Sequence, residues 1–183
     1  MTITFKCVHF SALTVYELYS VMALRQEVFI IEQNCPYLDA DGRDLEGFHL
    51  LGYADLAENA QNTDLSRDYR EGVSERSKTL VAYTRLLPKG VAYADYASIG
   101  RVVNSPKVRG FGIGKILMTQ SIHQMARLFP QDAVKIGAQS YLLRFYESLG
   151  FESTGEEYLE DDIPHTSMIL NLHHTKTVHY SNK

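Results

Sequence analysis

A chain of 183 residues with 45% apolar content, no tryptophan and a formal charge of -4 has enough apolar surface for one substantial core, and is expected to form one soluble domain. The mild acidity argues against a nucleic-acid partner, because phosphate neutralisation draws on a basic surface. Cys7 and Cys35 are too few and too far apart for a zinc knuckle or a disulfide framework, which points to a reducing cytosol.

The N-terminal stretch "MTITFKCVHF" has no signal-peptide apolar core, and no uncharged apolar run reaches bilayer length. A cytoplasmic location without a membrane partner is expected. "ITFKCVHF" alternates as an edge strand does, and Thr14 and Glu17 then form a T-x-x-E capping box ahead of the helical run "VYELYSVMALRQEVF". "FHLLGYAD" and "TLVAYTRLLP" are strand-like. The polar, mixed-charge segment around 57–78 between them is expected to be an exposed inserted loop. "YASIGRVVN" is a further strand, after which Ile113, Ile116, Leu117, Ile122, Met125, Ala126 and Phe129 recur at helical spacing until Pro130. "AVKIGAQ" is a strand, "SYLLRFYESLG" a short helix ended by Gly150, and "FESTGEEYLEDDIPHTSMILNL" two strands joined by an acidic loop. Residues 173–183 are expected to form a flexible tail.

The stretch with most chemical content is "VVNSPKVRGFGIGKILM". A strand that ends in glycines just before a helix leaves unpaired N–H groups where the helix dipole also favours negative charge, so phosphate is the natural guest. Gly110, Gly112 and Gly114 permit close approach, and Arg109 and Lys115 can add charge-assisted contacts. Lys115 is followed by Ile116 and not by serine or threonine, which excludes the P-loop. The alternating glycines, preceded by a strand in mid-chain, do not fit the dinucleotide fingerprint either.

"RGFGIG", residues 109–114, resembles the R-x-x-G-x-G loop of the GCN5-related N-acetyltransferases, and "FYESLGF", residues 145–151, is similar to their F-Y-x-x-x-G-F segment. The stretches "LRQEVFIIEQNCPYLDADGRDL", "HLLGY", "IGRVVNSP" and "IGAQSYLLRFYESLGF" resemble the ElaA-like subgroup. The resemblance implies an α/β (α+β) fold: a mixed, mostly antiparallel sheet, splayed between its fourth and fifth strands and flanked by helices, with acyl-coenzyme A in the opening. It implies one acyltransferase domain over residues 1–172.

It also implies roles. Backbone of Arg109, Gly110, Phe111, Gly112, Ile113, Gly114 and Lys115 would hold the pyrophosphate. Val102, Val103 and Asn104 would pair with the pantetheine arm as an added strand. Gln139 stands where the family often has asparagine and would reach the cofactor through a longer carboxamide. Tyr146 would protonate the leaving thiolate as general acid. For the general base, Glu32 and His49 have suitable chemistry in segments the family uses to shape the acceptor pocket, with His165 a third candidate.

The implied reaction moves an acetyl group from acetyl-coenzyme A, a co-substrate, to a primary amine of a small molecule or peptide, with no metal. A homodimer stays open. Cys35 is read as a buried thiol and not a nucleophile. Counted from Asp39, "DADGRDLE" has its glycine at position four and Leu50 at position twelve, so it does not fit a calcium loop. Asp39, Asp41 and Asp44 are expected as turn formers on a solvated loop. Two alternatives remain: a noncatalytic coenzyme A binding module, and an acyltransferase similar to acyl-homoserine lactone synthases. The latter is suggested by "LRQEVF", Asp41, Asp44 and "SIGRVV", although the usual tryptophan is missing and Ser98 replaces a glutamate.

Overall fold

The computed structural model describes residues 2–55 and 78–172. The expected inserted loop, apart from Lys78, and the expected tail lie outside the described residues.

Seven strands form one mixed sheet in the order β1-β2-β3-β4-β5-β7-β6. They span Ile3–His9 (β1), Phe48–Ala54 (β2), Thr79–Leu87 (β3), Ala97–Asn104 (β4), Val134–Gln139 (β5), Glu152–Glu160 (β6) and Ile163–Leu170 (β7). All neighbours are antiparallel except β4 and β5, which run parallel. β1 is an edge strand, as its alternating pattern suggests.

The first helix, α1 (Val15–Arg25), starts at the expected capping box: Thr14 Oγ accepts from the Glu17 N–H, and Glu17 accepts in turn from the Thr14 N–H at 3.0 Å. Gln26–Glu32 continues it as a wider π-type turn, closed where the Gln33 N–H donates to the Val28 carbonyl at 3.0 Å. α2 (Ile113–Leu128) buries Ile113, Leu117, Met118, Ser121 and Met125 along one stripe, a helical repeat that burial of large apolar side chains stabilises by about 1.5–3 kcal/mol each. The short α3 (Leu143–Glu147) follows a 3-10 turn at Ser140–Leu142 and leads into Gly150, whose φ of +93° reverses the chain.

The helices cover both faces of the sheet. α2 and α3 pack with Leu50, Ala82, Leu86 and Ile136 in the larger core, while Val21, Leu24 and Val28 on the α1 side meet Leu51, Tyr83 and Val103. Adjacent residues of β2, Leu50 and Leu51, thus enter opposite cores, as the two-residue period of a strand requires.

Two irregularities in β4 open the sheet. Its parallel pairing with β5 comprises only Ala97 with Val134 and Ser98 with Lys135, and beyond them the strands part. On the other side, the register with β3 shifts between Tyr83 and Arg85 as β4 takes up an extra residue, and Arg101 there has a φ of +52°. Such a bulge bends its strand and re-aims a side chain. The Arg101 guanidinium turns toward the loop before β2 and meets Asp39 at 2.7 Å.

Candidate active site

The parting of β4 and β5 makes a cavity of about 230 Å³, lined by Ser98 to Val102 on one wall and Ile136, Gly137 and Gln139 on the other. This is at the small end for ligand sites. Beyond the lining, the start of α2 packs against the C-terminal end of β4, where Gly114 neighbours Asn104. Gly110 and Gly112 are left-handed, with φ of +81° and +72°, and a Cβ on either would meet nothing within 4 Å. Gly112 caps α2 without a side-chain hydrogen bond. Among the described residues the N–H groups of Gly110, Phe111 and Gly112 donate to no protein acceptor. Ile113 anchors the helix start in the core while Phe111 is exposed, so both can offer the backbone alone to an anion. A Cβ on Gly114 would press to 3.2 Å from the amide nitrogen of Asn104. The Asn104 Oδ1 is buried without a hydrogen-bond partner. An open cradle of N–H donors beside an orphaned acceptor fits a diphosphate followed by an amide-bearing arm.

The side chains of this loop behave differently from its backbone. Arg109 forms a two-point ion pair with Glu32, at 2.6 and 2.9 Å. The guanidinium's charge is therefore offset, and Lys115, exposed in the first turn of α2, is the remaining basic side chain of the motif. The same contact fixes where Glu32 lies. Its carboxylate is held by Arg109 and driven below the ordinary range by that hydrogen bond, and Glu32 does not line the cavity.

His49 lies apart from the cavity lining. It is fully buried, and its Nε2 reaches the Asp44 carbonyl at 3.0 Å while its Nδ1 reaches the Tyr83 hydroxyl at 2.8 Å. A carbonyl only accepts, so Nε2 donates and Nδ1 accepts from Tyr83. Burial also lowers its basicity, and with both nitrogens engaged it braces the core.

Tyr146 lies in α3 with its ring packed edge-on against Phe145 and Phe151 at 5.1 and 5.9 Å. It also lines the cavity, and its hydroxyl has no hydrogen-bond partner among the described residues. Burial pushes its pKa up to about 12, which keeps the phenol protonated at neutral pH. Gln139 lines the same space, its carbonyl oxygen accepting from the Tyr141 hydroxyl at 2.5 Å. Cys35, partly buried on the lining, has its thiol pushed up by burial and by Asp161 and Asp162, which disfavours the nucleophilic thiolate.

The largest departure concerns residues 39–44. Asp39 and Asp44 are not solvated turn formers but buried residues, 6% and 7% exposed. Arg25 of α1, itself fully buried, bonds Asp39 at 2.7 Å, Asp44 at 2.8 Å and the Asp39 carbonyl at 2.9 Å. Arg85 of β3 takes Asp41 at two points, 2.6 and 2.9 Å, and also reaches Asp44. With Arg101, three arginines face three aspartates. Burial alone would raise the Asp41 carboxyl, but Arg85 outweighs it and brings the pKa down to about 2. Arg85, Arg101 and Tyr37, whose hydroxyl donates to Asp39 at 3.0 Å, form part of the cavity lining. A charge inside the apolar strand "TLVAYTRLLP" was the available sign that Arg85 needed buried partners.

Among the described residues the sheet parts at β4 and β5, its one parallel pair, beside the uncapped N-terminus of α2. Residues 49–172 match the family model described as Acetyltransferase (GNAT) domain, and the chain belongs to that acetyltransferase family. It is 38% identical over 162 residues to Protein ElaA of Escherichia coli strain K12, covering 87% of this chain and 91% of ElaA. Among solved structures, an acyl-CoA N-acyltransferase from Pseudomonas aeruginosa superposes with a TM-score of 0.75 at 36% identity, covering 93% of this chain and 100% of that one. The crystal structure of Escherichia coli ElaA gives 0.75 at 35% identity with the same coverage. The chain is thus an ElaA-like member of the family.

Proposed function

We propose that this chain transfers an acetyl group from acetyl-coenzyme A to a primary amine of a small molecule or peptide, by direct attack. The observation that carries this is the parting of β4 and β5 beside the uncapped, glycine-opened start of α2. The name of the Pseudomonas aeruginosa relative, an acyl-CoA N-acyltransferase, agrees with it. When bound, the co-substrate supplies an acetyl group activated as a thioester.

The chain's own residues would then act in three ways. The N–H groups from residue 110 to residue 114 bind the diphosphate, with Lys115 adding charge. The backbone of Val102, Val103 and Asn104, beyond the last β5 pairing, binds the pantetheine arm as a neighbouring strand, with Asn104 Oδ1 and Gln139 as polar contacts. Tyr146 holds a proton at its free hydroxyl and delivers it to the departing sulfur. The small cavity volume favours a small acceptor.

Residues 1–172 serve as one acyltransferase domain in this reading, with 57–78 inserted and 173–183 as a tail. Among the described residues no helix is long and apolar enough to cross a membrane, and a cytoplasmic enzyme with neither nucleic acid nor metal as partner is the corresponding proposal. A panel of primary amines, screened with acetyl-coenzyme A by release of free thiol, should reveal at least one acceptor whose acetylated product is seen by mass spectrometry. Tight binding with no turnover on any amine would favour the noncatalytic module.

A further inference from the structure

The residues above deliver a proton to sulfur but leave open what removes one from the attacking nitrogen. The cavity lining includes one group built for that. His165, on β7, is only 9% exposed and lines the cavity together with Tyr146. Its Nδ1 lies 2.8 Å from the Ile163 carbonyl. That carbonyl can only accept, so Nδ1 carries the hydrogen and the neutral ring has its lone pair on Nε2. Nε2 has no hydrogen-bond partner among the described residues.

The ring is also held in place. It stacks on Tyr158 of β6, with centroids 5.7 Å apart and planes 21° from parallel. Tyr158 in turn lies against the β5 backbone at Gly137, where an added Cβ would collide with the phenol. Gln139 is the cross-strand partner of His165 on β5, Tyr158 its partner on β6. The nearby orientation is therefore set by three strands, and a fixed tautomer on a fixed ring is the usual preparation of a histidine base.

The other titratable groups of the lining are less suited. Arg85 and Arg101 are bound to carboxylates. Tyr37 donates to Asp39, and burial raises its pKa. Tyr93 on the lining, and Tyr158 behind it in contact with His165, likewise have their hydroxyls raised chiefly by burial. Glu160 and Asp161 are exposed at the β6–β7 turn. Arg43 is an exposed cation, and Cys35 a thiol held protonated.

We propose that His165 is the catalytic base of this acetyl transfer, a role that rests on the function proposed above. Its Nε2 takes a proton from the acceptor's ammonium nitrogen and passes it to solvent. The freed nitrogen lone pair forms the bond to the acetyl carbon, and the carbon–sulfur bond breaks with its electrons going to sulfur. Tyr146 gives sulfur its proton, and the second surplus proton on nitrogen returns through solvent to the phenolate. One ammonium proton is released per turnover.

The test joins a ring measurement to a pH profile. In the full chain without ligand, long-range nitrogen-15 NMR at neutral to mildly alkaline pH, assigned by difference against His165→Asn, should show His165 as the Nδ1–H tautomer; an Nε2–H tautomer would overturn the role. Asparagine retains a donor for the Ile163 carbonyl but deletes Nε2. With an amine that the parent acetylates, His165→Asn should bind acetyl-coenzyme A within about threefold of the parent and lose about a hundredfold or more in kcat/KM near neutral pH. The deficit should shrink as pH rises toward about 10, where the amine sheds its proton unaided. A variant with the parent's rate and profile would overturn the role of His165 alone. A parent inert toward the whole panel would overturn acetyl transfer, and this role with it.

Discussion

The loop that opens α2 and the loop that precedes β2 are both short and polar, yet they are built in opposite ways. The first leaves its backbone unpaired: Gly110 and Gly112 are left-handed, with nothing near a would-be Cβ. The second is held by side-chain ion pairs, Asp39, Asp41 and Asp44 against Arg25, Arg85 and Arg101. An unpaired backbone costs little at a solvent-facing helix end, whereas an unpaired buried charge costs several kcal/mol. Changes in the glycine loop should therefore affect binding, and changes in the ion cluster should affect folding.

The largest expected effect lies at the proposed proton donor. Tyr146→Phe keeps the packed ring and deletes the hydroxyl, so acetyl-coenzyme A should bind nearly as in the parent while kcat on a competent acceptor falls about a hundredfold to ten-thousandfold. A parent-like kcat, with chemistry rate-limiting, would remove Tyr146 from the reaction. Next comes Arg25→Met, which leaves two buried carboxylates without their fully buried partner. Urea unfolding should show a loss of about 3–5 kcal/mol; a loss under about 1 kcal/mol would mean the cluster is not what fixes the 39–44 loop.

The smallest effect should come from Glu32→Gln, which frees the exposed Arg109 guanidinium. Acetyl-coenzyme A affinity should rise about twofold to fivefold at low salt, and the gain should fade as ionic strength screens it. Weaker binding instead would assign Glu32 a positioning role for the loop.

The same contrast explains what could be read in advance. All seven strands and the helical stretches follow from period, capping box and proline or glycine stops, which are local signals. The left-handed turn before α2 was legible because such backbone selects glycine, here Gly110 and Gly112. The ion cluster was not, since Arg25, Arg85 and Arg101 stand far in sequence from the aspartates they hold, and acids beside a glycine look the same whether a turn is wet or buried. The burial of His49 was not legible because β2 is covered on both faces, so alternation gives no outward side. The bulge at Arg101 and the Glu32–Arg109 pair are long-range features of the same kind.

The account turns on the claim that unpaired backbone at the start of α2 is the phosphate cradle. Calorimetric titration of acetyl-coenzyme A into the parent and into Gly112→Ala tests it most directly, because a Cβ there enters open space and the left-handed backbone costs a residue that is not β-branched about 1–2 kcal/mol in stability. The account predicts binding by the parent and at least a tenfold weaker affinity for the variant, about 1.4 kcal/mol, with the fold retained by circular dichroism. Equal affinities in two folded proteins would contradict it.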